Sequence, residues 1–136
     1  MSRVFATMND PYKVWNYRYN VLQPNNIANG VGVPHISEAP AIFGLGNVRD
    51  DVNSSYKDLN AEIIPVMMNY WISFVRDLSP NRYKYGPAPH WESFGDGKNG
   101  GRRLKLQTNA TAMELIPQDQ VKRCEFWRGL AIMMEQ

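Results

Sequence analysis

The stretch GVGVPHISEAPAIFG, residues 30–44, decides how this chain is read. A Gly/Pro turn leads into a histidine. A glutamate follows three residues later, then a second proline, a short apolar run and a closing glycine. The chain has only two histidines, His35 and His90, and one of them stands here. Gly30, Gly32 and Pro34 make the approach a loop. SEAPAIF has room for one or two helical turns before Gly44 and Gly46 stop them. A histidine in this setting has three readings. It is a hydrogen-bonded or surface residue, a metal ligand with Glu38, or a proton-transfer group presented at a loop tip. The metal reading needs at least one more donor, which only His90 or scattered carboxylates could supply.

The flanks sharpen the choice. Upstream, VWNYRYNVL (14–22) alternates Trp15, Tyr17, Tyr19 and Val21 with polar residues, which predicts a strand. QPNNIANGVGVP (23–34) is a loop that ends at the histidine, and NVRDDVNSS (47–55) is a second polar loop. The strongest periodicity lies in LNAEIIPVMMNYWISFVRDLSP. There Ile63, Met67, Tyr70, Trp71, Phe74 and Leu78 recur at three- and four-residue spacing, predicting a helix over about 60–77. Pro65 falls near its start, where a missing N–H does least harm. NRYKYGPAPHWESFGDGKNGG (81–101) reads as a long loop anchored by Trp91 and Phe94. RRLKLQT (102–108) reads as an edge-type strand with Leu104 and Leu106 on one face. IPQDQVKRCEFWRGLAIMM (116–134) reads as a helix, with Val121, Cys124, Phe126, Trp127, Leu130 and Met134 along one side. Met67, Trp71, Phe74 and Trp127 are expected in the core, because aromatic stripes at helical spacing usually are.

Composition narrows the classes. With 136 residues, 43% hydrophobic and 21% charged, the chain has the make-up of one small globular domain with a modest core. A net charge of +2 and a thin basic cluster (Lys98, Arg102, Arg103, Lys105) argue against a nucleic-acid partner. No apolar run approaches the roughly 18 residues of a membrane span. The opening MSRVFATMND lacks the apolar core of a signal peptide, so no export signal is expected in these residues. Cys124 is alone, so no disulfide can form within the chain. Asn53 and Asn109 open Asn-x-Ser/Thr sequons, a weak sign of secretion. Two strands about 80 residues apart do not make a stable sheet. Together with long loops, they suggest part of something larger.

A strand, a loop, a histidine at the loop tip and a short helix is where the α/β-hydrolase fold carries its catalytic base. GVGVPHISEAPAIFG resembles the histidine segment of the type-B carboxylesterase family, which includes cholinesterases and fungal lipases and esterases. That segment runs Gly-x-x-His-Gly-x-Glu/Asp, then apolar residues, then Phe-Gly. Gly32, His35, Glu38, Phe43 and Gly44 match in register. The family's glycine after the histidine is Ile36 here. MMNYWISFVRDLSPN (67–81), APHWESFG (88–95) and RCEFW (123–127) resemble further family segments in the same order, so the resemblance covers almost the whole chain and is nearest to fungal secreted esterases.

The resemblance implies an α/β fold, with residues 1–136 as the C-terminal part of one hydrolase domain. It implies a serine esterase or lipase acting on carboxylic esters, small-molecule or lipid, in the extracellular space, with no cofactor and no metal. His35 would be the general base of a Ser-Glu/Asp-His triad. Glu38 would be a buried carboxylate supporting the site, not the triad acid; a helix-start carboxylate acting on free backbone N–H groups stays open as its alternative. No Gly-x-Ser-x-Gly elbow occurs in the sequence, so the resemblance places nucleophile and acid in a missing N-terminal part. The chain alone is then expected to be inactive, poorly stable and exposed on its apolar helix face. Cys124 resembles a terminal-helix cysteine that in cholinesterases pairs with one before the histidine strand; a free buried thiol fits as well. Two other readings compete. One is a non-catalytic interaction module on a hydrolase-like fold. The other is a small metal-binding domain using His35, Glu38 and His90.

Overall fold

A computed structural model describes residues 2–8, 10–48, 54–95, 101–131 and 133–134. Five α-helices and three strands are present among them: α1 (Ser2–Met8), β1 (Tyr17–Tyr19), α2 (Pro24–Ala28), α3 (Ala39–Phe43), α4 (Ile63–Asp77), β2 (Arg102–Leu106), β3 (Ala112–Leu115) and α5 (Gln118–Leu130), with short 3-10 helices at Pro11–Lys13 and Ser55–Lys57. The three strands form one sheet in the order β1-β2-β3. By contacts the chain divides into two units. The larger comprises Tyr17–Trp91 with Leu104–Met113, and the smaller Met1–Asn16, Glu92–Arg103 and Glu114–Gln136.

In the larger unit β1 pairs parallel to β2, with Tyr17 opposite Leu104 and Tyr19 opposite Leu106. Leu104, Leu106 and Val21 are buried. Parallel neighbours need a long crossover, and here α2, α3 and α4 supply it. α4 forms where the periodicity placed a helix, beginning at Ile63. Pro65 is its third residue, where the backbone N–H would have no helical acceptor. Ile63, Met67, Tyr70 and Ser73 make its buried stripe at three- and four-residue steps. The helix ends on Leu78 in the left-handed region (φ 52°), whose N–H reaches the Phe74 carbonyl, and Pro80 follows. Tyr70, Trp71, Trp91 and Tyr17 meet edge to face or tilted, with ring centroids 5.2–6.0 Å apart. The Asn81 side chain clamps the Trp91 backbone, donating to its carbonyl (2.9 Å) and accepting from its N–H (2.7 Å). Trp91 and, in the smaller unit, Phe94 are buried, as expected of loop anchors.

Three expectations are corrected. β2 is the central strand, not an edge. The missing neighbour was β3, whose AMEL sequence carries no alternation and favours helix locally. The strand read over 14–22 shrinks to Tyr17–Tyr19, because only that part meets a partner. The apolar side expected of the last helix does not exist: α5 buries no residue, Cys124 is exposed, and Phe126 and Trp127 are more than half exposed. Those six apolar positions spread over more than half the helix circumference at 3.6 residues per turn, so they define no face. Of the four residues expected in the core, Met67 is fully buried and Trp71 half-buried, while Phe74 and Trp127 are exposed.

Candidate active site

The decisive segment lies in the larger unit, on the path leaving β1. After β1, α2 turns the chain, and an irregular stretch over 31–34, with Gly32 at φ 71°, leads to a turn at 35–38. His35 is the first residue of that turn and is exposed. Ile36 is next, at φ 66°. This is the left-handed region, which a β-branched side chain rarely enters because Cβ crowds the following carbonyl. A glycine would take this conformation without strain, and isoleucine takes it at a cost. The Ser37 N–H reaches the Pro34 carbonyl at 3.4 Å, and the Ala39 N–H reaches the Ile36 carbonyl at 3.1 Å. α3 then packs on α4, with Pro40 and Ala41 buried, and stops at Gly44, φ 86°.

Behind the turn lies a polar cluster that sequence reasoning did not find. The Tyr56 hydroxyl donates to the Ser37 carbonyl (2.6 Å) and lies 2.7 Å from the Tyr19 hydroxyl. Tyr56 is 1% exposed. Burial, and then the nearby Glu38 carboxylate, push the Tyr17 hydroxyl above its ordinary pKa. Burial chiefly, with the bond to Tyr56 and the Glu38 charge behind it, raises that of Tyr19. Burial also raises Tyr56, the bond from Tyr19 opposing and Glu38 adding. All three phenols are thus held in the protonated form, in which each hydroxyl can donate one hydrogen bond and accept another. β1 carried a visible signal for Tyr19 through its alternation. Tyr56 lies in a single 3-10 turn, Ser55–Lys57, just past the polar loop, and had none.

Glu38 is half-buried at the position before α3, and its carboxylate caps no backbone N–H there. Its charge is felt by the Tyr17, Tyr19 and Tyr56 hydroxyls. His90 is exposed on the loop before Trp91. Among the described residues no three His, Cys, Asp or Glu side chains come together as a metal site, so the metal-binding reading has no ligand set there. A cavity of about 290 Å³ opens beside Gln23, Asn25, Asn26, Ser55 and Asp58, and neither His35 nor Glu38 lines it. No helix among the described residues is long and apolar enough to cross a membrane. Asn109 is exposed at the turn joining β2 to β3, whereas Asn53 and Lys98 lie outside the described residues.

An exposed imidazole on a short turn whose Ser37 carbonyl is held by the buried Tyr56 hydroxyl has the access that proton transfer to a delivered group requires. The fold matches the crystal structure of Aspergillus niger EstA with a TM-score of 0.91 and 48% sequence identity, over 98% of this chain and 25% of that one. The chain thus spans about a quarter of EstA's length, as part of an α/β-hydrolase fold. No curated protein matches the sequence. The sequence model of the carboxylesterase family matches residues 1–127, nearly the whole chain, and on that match the chain belongs to the carboxylesterase family.

Proposed function

We propose that these 136 residues are the C-terminal part of a single type-B carboxylesterase domain and supply His35 as its catalytic base. The observation that carries the reading is the exposed imidazole at the head of the turn between β1 and α3, in register with the family's histidine segment. His35 takes the proton from a serine hydroxyl as that oxygen attacks the ester carbonyl. It then gives the proton to the leaving alkoxide, and repeats the cycle with water to release the acid. Serine, acid and oxyanion-hole donors come from outside these residues. Both units belong to that one domain. The substrate class is carboxylic esters, of small alcohols or lipids, and the enzyme works outside the cell as fungal esterases of this kind do.

The experiment is a hybrid in which residues 1–136 replace the matching quarter of EstA, compared with EstA itself for hydrolysis of an aryl ester. The hybrid is expected to turn over. His35→Ala is expected to lower kcat at least about a thousandfold, the scale of losing a triad member. The 136-residue chain alone is expected to give no turnover, because nucleophile and base must lie within about 3 Å. A folded hybrid that binds but never hydrolyses, or a His35→Ala hybrid as active as its parent, refutes the proposal.

A further inference from the structure

We propose that Tyr56 is a positioning residue for His35, its hydroxyl fixing the Ser37 carbonyl and thereby the turn that carries the imidazole, with Tyr19 fixing that hydroxyl in turn. The inference rests on His35 being the catalytic base.

The His35 end of the turn is weakly held, while its far end is tied by the Ala39 N–H to the Ile36 carbonyl at 3.1 Å. Its Ser37 N–H contact to Pro34 is long at 3.4 Å, and Ile36 sits at φ 66°. His35 and Ile36 are exposed, so neither side chain packs the loop in place. What reaches the turn from a remote part of the chain is the Tyr56 hydroxyl, 19 residues on in sequence and 2.6 Å from the Ser37 carbonyl.

The direction of each bond follows from the acceptor. A carbonyl only accepts, so Tyr56 spends its proton on Ser37. Its oxygen must then accept from Tyr19, which makes Tyr19 the donor in their 2.7 Å contact. Tyr19 is a residue of β1, held by its pairing with β2. A continuous path runs from sheet backbone through two phenols to the turn, and every link has one polarity. The Tyr56 ring is enclosed, so its oxygen has no freedom to follow a wandering loop. Phenylalanine would fill the same space. The hydroxyls add direction, which is what a base needs to meet a serine oxygen within a few tenths of an ångström.

The test has two arms. On the full chain, Tyr56→Phe is expected to speed amide hydrogen exchange at Ser37, Glu38 and Ala39 by about tenfold, the worth of one buried hydrogen bond, and to leave Tyr70 and Trp71 in α4 unchanged. In the EstA hybrid, Tyr56→Phe is expected to lower kcat about tenfold or more with KM within about twofold, because a displaced base costs turnover and not substrate binding. Tyr19→Phe is expected to give a smaller loss of the same kind. Unchanged exchange at the turn overturns the proposal. So does loss of protection spread equally into α4, which marks a structural role only. A Tyr56→Phe hybrid with normal kcat, beside an inactive His35→Ala hybrid, overturns the positioning role and leaves the base standing. Turnover that survives His35→Ala removes the base itself, and the positioning role with it.

Discussion

The hydroxyls of Tyr19 and Tyr56 lie 2.7 Å apart inside the larger unit, with the Glu38 carboxylate close enough to oppose ionisation of both. Tyr17 and Tyr70 are likewise held above the ordinary value of 10.0, Tyr70 by burial alone. The consequence is a pH dependence of known sign. Below the unfolded value the phenols are protonated in both states and their contribution is complete. Above it the unfolded chain releases protons that the folded chain retains, so stability falls as pH rises. Denaturant midpoints measured at about pH 8 and about pH 11 are expected to drop, and to drop less in Tyr56→Phe. A flat profile would mean these hydroxyls are not buried.

Ile36→Gly should stabilise the chain. Ile36 is 66% exposed and at φ 66°, so the substitution gives up little buried area and relieves a left-handed β-branched residue. The relief is worth about 1 kcal/mol after allowing for the greater freedom of glycine in the unfolded chain. A rise of a few degrees in melting temperature is the expected reading, with Ile36→Val giving none.

Asn60 joins three segments at one buried point. Its side-chain N–H groups donate to the Leu22 carbonyl (3.0 Å) and the Ser55 hydroxyl (2.8 Å), and its oxygen accepts from Thr108 (2.6 Å). Truncation leaves those partners without it in a site 3% exposed. Asn60→Ala is expected to cost about 3 kcal/mol, since orphaned buried groups each carry a desolvation penalty. Equilibrium denaturation of the two proteins measures this, and Asn60→Asp, which can still accept from Thr108 and Ser55, should lose the bond to the Leu22 carbonyl.

In the smaller unit, Arg103 of β2 reaches Glu114 of β3, with Nε 2.6 Å from Oε1, and also bonds Gln120 at 3.0 Å. The guanidinium side chain is 6% exposed. Glu114→Ala strands that charge and is expected to cost about 3 kcal/mol. Replacing both partners with apolar residues of similar volume should cost much less. A denaturation cycle over the single and double variants tests the asymmetry.

α4 shows Ile72, Phe74, Val75 and Leu78 to solvent, and α5 shows Phe126 and Trp127. Exposed apolar surface on this scale binds hydrophobic dyes and promotes self-association. The chain alone is expected to enhance dye fluorescence and to associate with rising concentration. The EstA hybrid should do neither. A strictly monomeric, dye-silent chain would contradict this.

α4 was legible from residues because its buried stripe repeats at the helical period, and a helix makes its own hydrogen bonds. Even there, the pattern named Phe74 and Leu78 beside Met67 and Tyr70, and burial separates them. Periodicity reports a face and not what covers it. β2 was found by alternation, but its place in the sheet was not, because strands close their hydrogen bonds with partners that local sequence does not specify. AMEL became β3 only beside β2.

The sequence by itself determined the loop, the histidine, the glutamate three residues on and the family they resemble, since those are matters of residue type and spacing. Tertiary structure alone decided that Ile36 would take a glycine's conformation, that the Glu38 carboxylate would leave α3 uncapped, and that Tyr56 would reach the turn from 19 residues away. Each of these depends on atoms brought together across many residues, and no local pattern encodes a distance that only packing sets.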